Sequence, residues 1–451
     1  MVAHSAIEQV RGTPPRSPSP PGGGTVRERQ AAASRENDTT AQRKDVGLET
    51  PPELTMAQRK RMAELSDMVV DELAFAFGVE LREALKGCDQ QGDIARCEPF
   101  TTDAYLRCVL AHRQRPAVFS SPTEGAQGYH VHEALRRGPI VALKHACEHS
   151  ADAKFMPHWP QLELPDEDVS PTDFLAFFAE PLPARAPPNV IDDRISKLGV
   201  CGGEERPRDG KAVAAPVDES SAYTPPLAYR LASMLARPDE LDDQHEVADT
   251  SDLVLSPANA VTRFHIDSGF SGLCDLVSGE KLWALCSLSD GVSLGLLDGS
   301  APPTVQAFMR APSACVVRLR AGEMLFIPSG WWHFVVTTAP SLGFSSNGLA
   351  VGGMSAARRC LCTRQGVEAC QLDDQMALAR LDITQRGGLK RHLRNQSAVL
   401  GGLERLGASA ALLEQYSAKL AALAVEFRLV SQTADADDQS KEQVPSTPPR
   451  S

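Results

Sequence analysis

Ser251-Asp252-Leu253-Val254-Leu255-Ser256-Pro257-Ala258-Asn259-Ala260-Val261-Thr262-Arg263-Phe264-His265 decides the fold class of this chain. Apolar residues gather on either side of a Pro-Ala-Asn turn, which predicts two short strands, the second ending in His265. Further along, Cys274 to Val277 and Leu282 to Leu288 form an apolar pair. They are joined through Ser278-Gly279-Glu280, a hairpin-like turn that puts Lys281 at the start of the returning strand. Cys315 to Leu319 and Met324 to Ile327 flank Ala321-Gly322-Glu323 and predict another hairpin. Pro328-Ser329-Gly330 then breaks the chain before Trp331-Trp332-His333-Phe334-Val335-Val336. Short strands at regular turns, without a helical period, predict a mainly β core of the sandwich or barrel type with α additions.

His265-Ile266-Asp267 sits at the end of one such strand. Successive strand side chains point to opposite faces, so His265 and Asp267 project together. His333, from another strand, would add a second imidazole. Two imidazoles and one carboxylate on one face of a metal form the facial triad of non-heme Fe(II) oxygenases. In a chain with 11 histidines and abundant aspartate, a His-x-Asp also arises by chance, and a lone buried histidine is ordinarily a satisfied core residue. The surrounding sequence favours the metal.

That surrounding sequence resembles the JmjC domain, the cupin-like double-stranded β-helix of Fe(II)- and 2-oxoglutarate-dependent oxygenases. Thr262-Arg263-Phe264-His265-Ile266-Asp267 is similar to the family's Thr-x-x-His-x-Asp, and Ser278-Gly279-Glu280-Lys281-Leu282-Trp283 to its Gly-x-Lys-x-Trp. Gly322 to His333 is similar to its Gly-Asp/Glu-x-Leu-Phe-Ile-Pro-x-Gly-Trp-x-His. Arg115-Pro116-Ala117-Val118-Phe119 looks like the strand that often opens such domains. The likeness covers residues 251–352 closely and the preceding part faintly.

The resemblance implies a metal site of His265, Asp267 and His333 holding Fe(II). It implies that Lys281 holds the distal carboxylate of 2-oxoglutarate as a point charge, with the Thr262 hydroxyl beside it and Asn347 as a further cosubstrate contact. Strict alternation places Thr262 opposite His265, so this carry-over requires a bulge between them. Between Asp267 and Lys281, where family members often carry a polar amide, this chain offers Ser268, Ser271 and Asp275. Without that family setting, Lys281 is a solvated strand-edge lysine, and Thr262 and Asn347 are ordinary strand or turn residues. The tryptophans 283, 331 and 332 read as packing.

Outside the core, residues 1–55 form a Pro/Ser-rich stretch too poor in apolar residues to offset chain entropy, and are expected to be a disordered tail. Residues 56–240 are expected as a helical N-terminal part with a loop near 201–226, residues 241–352 as the JmjC catalytic core, residues 353–432 as C-terminal helices and 433–451 as a second disordered tail. Ala57 to Lys86 carries a helical pattern ending near Gly87, and Ser170-Pro171 starts a short helix through Phe174 to Phe178. Leu413, Tyr416, Leu420, Leu423 and Phe427 recur at steps of three and four. This is a seam for a homodimeric coiled coil or for packing on the chain's own barrel.

A net charge of −12 argues against indiscriminate nucleic-acid binding, the short run Lys390-Arg391-His392-Leu393-Arg394 notwithstanding. The acidic run Asp239-Glu240-Leu241-Asp242-Asp243 suits basic peptides or a hydrated loop. Met1 to Arg11 has no apolar core of a signal peptide and no stretch approaches membrane-span length, so a soluble intracellular protein of nucleus or cytoplasm is expected. The 11 cysteines then read as reduced thiols, and Cys360, Cys362 and Cys370 fit no common zinc spacing. The functional expectation is hydroxylation of a protein side chain using Fe(II), 2-oxoglutarate and O₂, the substrate being a protein or peptide. Histone lysine demethylation, tRNA modification and a non-catalytic scaffold stand as alternatives.

Overall fold

The computed structural model describes residues 72–97, 99–111, 114–149, 157–158, 170–179, 189–192, 223–233, 251–267, 270–298, 301–370, 375–377, 381 and 389–441. The chain divides into two compact units, residues 1–48 and 49–451, and every described residue belongs to the second. The expected N-terminal tail, most of the 201–226 loop and the acidic run at 239–243 lie outside the described residues.

Strands follow in the order β1 (Gln90–Gln91), β2 (Ala95–Cys97), β3 (Ala117–Ser120), β4 (His130–Val131), β5 (Pro157–His158), β6 (Asn189–Asp192) and β7 (Tyr223–Thr224). The core strands are β8 (Ser251–Ser256), β9 (Val261–His265), β10 (Ser271–Ser287), β11 (Cys315–Arg320), β12 (Glu323–Ile327) and β13 (Trp331–Gly348). All but β4 and β7, which pair with each other, belong to one curled 11-stranded sheet.

Its spine is an antiparallel ribbon of the two longest strands, β10 and β13, in register from Ser271↔Gly348 to Ser287↔Trp331. The ribbon changes neighbours halfway. The first half of β10 pairs with β12 and the second with β11, while the first half of β13 pairs with β9 and the second with β8. Bulges between Leu276 and Lys281 mark the crossover. Both expected hairpins are therefore corrected. Ser278-Gly279-Glu280 is a kink inside one continuous strand, and Ala321-Gly322 is a corner that carries the chain from β11 to β12 along the bend of β10. A Gly-containing triplet between apolar runs signals a turn or a bulge alike, and only the partner strand decides which. Gly279 is required at the kink. Its φ is +85°, and a Cβ there would stand 2.2 Å from the carbonyl oxygen of Pro340.

Alternation sorts the ribbon's side chains into two environments. Cys274, Leu276, Trp283, Leu285, Val317, Leu325 and Val335 face one another across the barrel interior. Leu273, Leu342 and Phe344 face outward on one side, under helices Thr102–Leu110, Pro139–His149 and Leu227–Ala232. On the other side Val261, Leu282, Phe334 and Val336 lie under helix Glu72–Ala84, whose Phe77 meets Phe264, Phe308 and Phe334 edge to face. That helix forms the described part of the expected Ala57–Lys86 helix, and Pro171–Ala179 is the short helix expected after Ser170.

The C-terminal seam is used at home. Tyr416, Leu420, Leu423 and Phe427 are buried in the same core as Leu253 and Phe344, so the seam considered for homodimerisation is already covered by the chain's own body. This helix, Ala410–Lys441, also runs through the start of the expected tail. No Gly or Pro interrupts 410–441, and an established helix propagates far more easily than it nucleates. His392, in the basic run, is buried and bonded to the Tyr416 hydroxyl.

Gly291 offers a direct test of packing behind the site. In helix Leu288–Ser293 it abuts the buried Trp332, and a Cβ there would lie 2.1 Å from the indole Cδ1. Gly291→Ala is expected to destabilise the fold by about 1–3 kcal/mol through overpacking. Thermal denaturation checks this. An unchanged midpoint would mean the indole moves aside freely.

Candidate metal centre

His265 ends β9, Asp267 follows the strand by two residues, and His333 lies near the start of β13, directly across from His265 in the register. One ligand atom from each of the three side chains lies within 4.8 Å of the others. His265 Nε2 is 3.3 Å from Asp267 Oδ1, and His333 Nε2 is 3.6 Å from Asp267 Oδ2. No other group of three His, Cys, Asp or Glu side chains converges in this way among the described residues.

Tautomers are set by the backbone. His265 Nδ1 lies 2.8 Å from the carbonyl oxygen of Arg263, and His333 Nδ1 lies 3.3 Å from that of Trp331. A carbonyl only accepts, so each Nδ1 carries the proton and each Nε2 lone pair faces the common point. This is the outer hydrogen bonding that metal-binding histidines use.

Burial pulls the His333 imidazolium down to about 4, with the neighbouring His265 adding to the effect and Asp267 opposing it. The Asp267 carboxyl is held well below the usual range. Burial opposes this, but the two imidazoles outweigh it. For His265 burial lowers the value, and the hydrogen bond its protonated ring would donate to the Asp267 carboxylate, together with that carboxylate's charge, more than restores it. Neutral His333 beside ionised Asp267 is the protonation pattern a divalent cation needs.

The expected bulge is present. His333 pairs with His265 and Val335 with Thr262, so Arg263 and Phe264 on β9 oppose Phe334 alone on β13. Thr262 thereby regains the face of His265, while Val261 packs outward.

Lys281 is 95% buried, which decides against a solvated strand-edge lysine. Its ammonium donates to Ser256 Oγ at 2.9 Å, and no carboxylate pairs with it among the described residues. Burial pushes it down to about 8, slightly offset by the Cys274 thiol. Ser256 lies across from Ser341, whose buried hydroxyl has no hydrogen-bond partner among the described residues. The sequence reading missed both serines. Each sits in an apolar-rich strand with nothing local to mark it, and only the pairing of β8 with β13 brings them to Lys281.

Asn347 lies across from Gly272, and a Cβ on that glycine would be 3.6 Å from Asp267 Oδ2 and 3.7 Å from Asn347 Oδ1. Asn347 therefore borders the carboxylate's side of the metal site. Of the polar residues between Asp267 and Lys281, the described Ser271 and Asp275 do not join it. Asp275 points out of the barrel and accepts hydrogen bonds at 2.9 Å from both Tyr129 Oη and Ser121 Oγ, with burial raising it to about 6. Ser271 donates to the carbonyl oxygen of Gly348, and Ser268 lies outside the described residues. Cys360 and Cys370 are buried while Cys362 is exposed.

Residues 207–351 match the family profile of a cupin-like domain. An arginine-specific demethylase of Arabidopsis thaliana, JMJ22, is 29% identical over 113 residues, which are 21% of this chain and 22% of the relative. Both similarities agree with the JmjC cupin-like resemblance read from the motifs. The chain spans about a fifth of that relative's length. No helix among the described residues is long and apolar enough to cross a membrane.

Proposed function

We propose that this protein is an Fe(II)- and 2-oxoglutarate-dependent oxygenase that hydroxylates a protein side chain. The observation that carries the reading is Lys281, a buried ammonium without a counter-ion among the described residues, inside the same barrel as the triad. A buried charge costs several kcal/mol unless it is paired. A scaffold gains nothing from that cost, whereas a site for a dicarboxylate regains it on binding. The donor set suits the metal as well, since two imidazoles and a carboxylate with no thiolate favour Fe(II).

Each residue has a defined task in this reading. His265, Asp267 and His333 would hold the metal. Lys281 orients the cosubstrate by its distal carboxylate, and the apolar interior around Leu276, Leu285 and Val335 excludes water. The bound metal and cosubstrate supply the oxidising chemistry, with succinate and CO₂ as coproducts. Attack on a C–H bond gives hydroxylation, or demethylation where the carbon is an N-methyl group. The similarity to an arginine-specific demethylase supports demethylation as the second reading.

The test is O₂-dependent succinate release from 2-oxoglutarate after anaerobic loading with Fe(II). Turnover that requires all three components is expected. A purified protein that binds no iron would leave the scaffold reading. Mass spectrometry of peptide substrates then separates the two chemistries, a gain of one oxygen marking hydroxylation and a loss of one methylene marking demethylation.

A further inference from the structure

Three rungs of the β10–β13 ribbon order the barrel interior. Leu285 faces His333, Trp283 faces Val335, and Lys281 faces Thr337. At about 3.4 Å per residue, Lys281 and the metal-ligand rung stand ~14 Å apart along the strand, with Trp283 halfway. Side chains two residues apart share a face, so Trp283 projects into the same interior as Lys281. Its ring centroid lies 5.8 Å from that of His333. The indole is 94% buried, and its Nε1–H has no acceptor among the described residues. A buried indole N–H ordinarily finds a partner, because leaving it unbonded costs roughly 1–3 kcal/mol. The sequence reading assigned Trp283 to packing alone.

We propose that Trp283 is a cosubstrate-positioning residue, its indole Nε1–H donating a hydrogen bond to an oxygen of 2-oxoglutarate stretched between the metal and Lys281. The inference rests on the oxygenase reading and adds to it a donor at the middle of the cosubstrate's length. Lys281 fixes the far end as a point charge and can swivel. A rigid indole beside the chain fixes how the near end meets the metal.

Two measurements on the full chain test it, with Zn(II) as a diamagnetic stand-in for iron. The protein has 4 tryptophans, so its indole N–H region holds four resonances, assigned by replacing each tryptophan in turn. Adding 2-oxoglutarate to the Zn(II)-loaded wild type is expected to move the Trp283 resonance downfield, as a new charge-assisted hydrogen bond does. By calorimetry, Trp283→Phe is expected to keep Zn(II) affinity and to weaken 2-oxoglutarate on the order of tenfold. An unmoved Trp283 resonance on binding overturns the proposal, as does a variant matching wild-type 2-oxoglutarate affinity within twofold. Failure of the wild type to bind 2-oxoglutarate at all would instead overturn the oxygenase reading, and this inference with it. Should the variant not fold, the wild-type resonance decides alone.

Discussion

Alanine at Asp267 is expected to abolish succinate release and metal-induced stabilisation together. Asp267 is the only anionic member of the candidate triad, and both imidazoles lean on it, at 3.3 and 3.6 Å. Without it, two neutral rings with centroids 4.0 Å apart remain, and two monodentate nitrogens hold Fe(II) weakly. A ligand that binds only the folded state stabilises it in proportion to the logarithm of its concentration over its dissociation constant. Saturating metal at about 100 times that constant adds roughly 2.7 kcal/mol. Thermal denaturation with and without metal should therefore show a clear rise for the wild type and none for Asp267→Ala. The apo midpoint of the variant is expected to fall only modestly, since Asp267 is itself partly exposed. Retained metal stabilisation in the variant would place the metal elsewhere.

Much of this site was legible before any coordinates. Strand alternation alone puts His265 and Asp267 on one face, and the Gly-Trp-Trp-His setting singles out His333. What the sequence hides is long-range pairing. Ser278-Gly279-Glu280 has the composition of a turn, yet the chain runs straight through it because Pro340 and Ser341 of β13 pack against Gly279. Asp275 looked available to a cosubstrate. The inside or outside sense of a strand is set by its register, and here Cys274 takes the interior while Asp275 meets Tyr129 and Ser121. The Thr262 bulge was a geometric requirement of the family motif and is met by the shift between His333 and Val335. The C-terminal seam was legible as apolar, but periodicity does not say whose surface it covers.

Lys281→Met is expected to make the protein more stable and to lose the cosubstrate. Burial lowers the ammonium from 10.5 to about 8, a depression equivalent to about 3 kcal/mol of destabilisation when the lysine is charged in the fold. The sign follows from proton binding. Between about pH 8 and 10.5 the unfolded chain holds the proton more tightly than the folded one, so wild-type stability from this group rises with pH across that window. Below pH 8 the whole penalty is present. Methionine has a similar length and no charge, so at pH 7 the variant should exceed the wild type by up to about 3 kcal/mol. That advantage should shrink as the pH climbs through 8 toward 10.5. Over the same exchange 2-oxoglutarate binding should weaken by about 30-fold or more, the cost of leaving a buried carboxylate unpaired being roughly 2–5 kcal/mol. Denaturant unfolding at several pH values and calorimetry with 2-oxoglutarate give the two halves. A lysine kept for the fold would lose stability on replacement; one kept for a ligand gains it, and only the second outcome fits the dicarboxylate site proposed above.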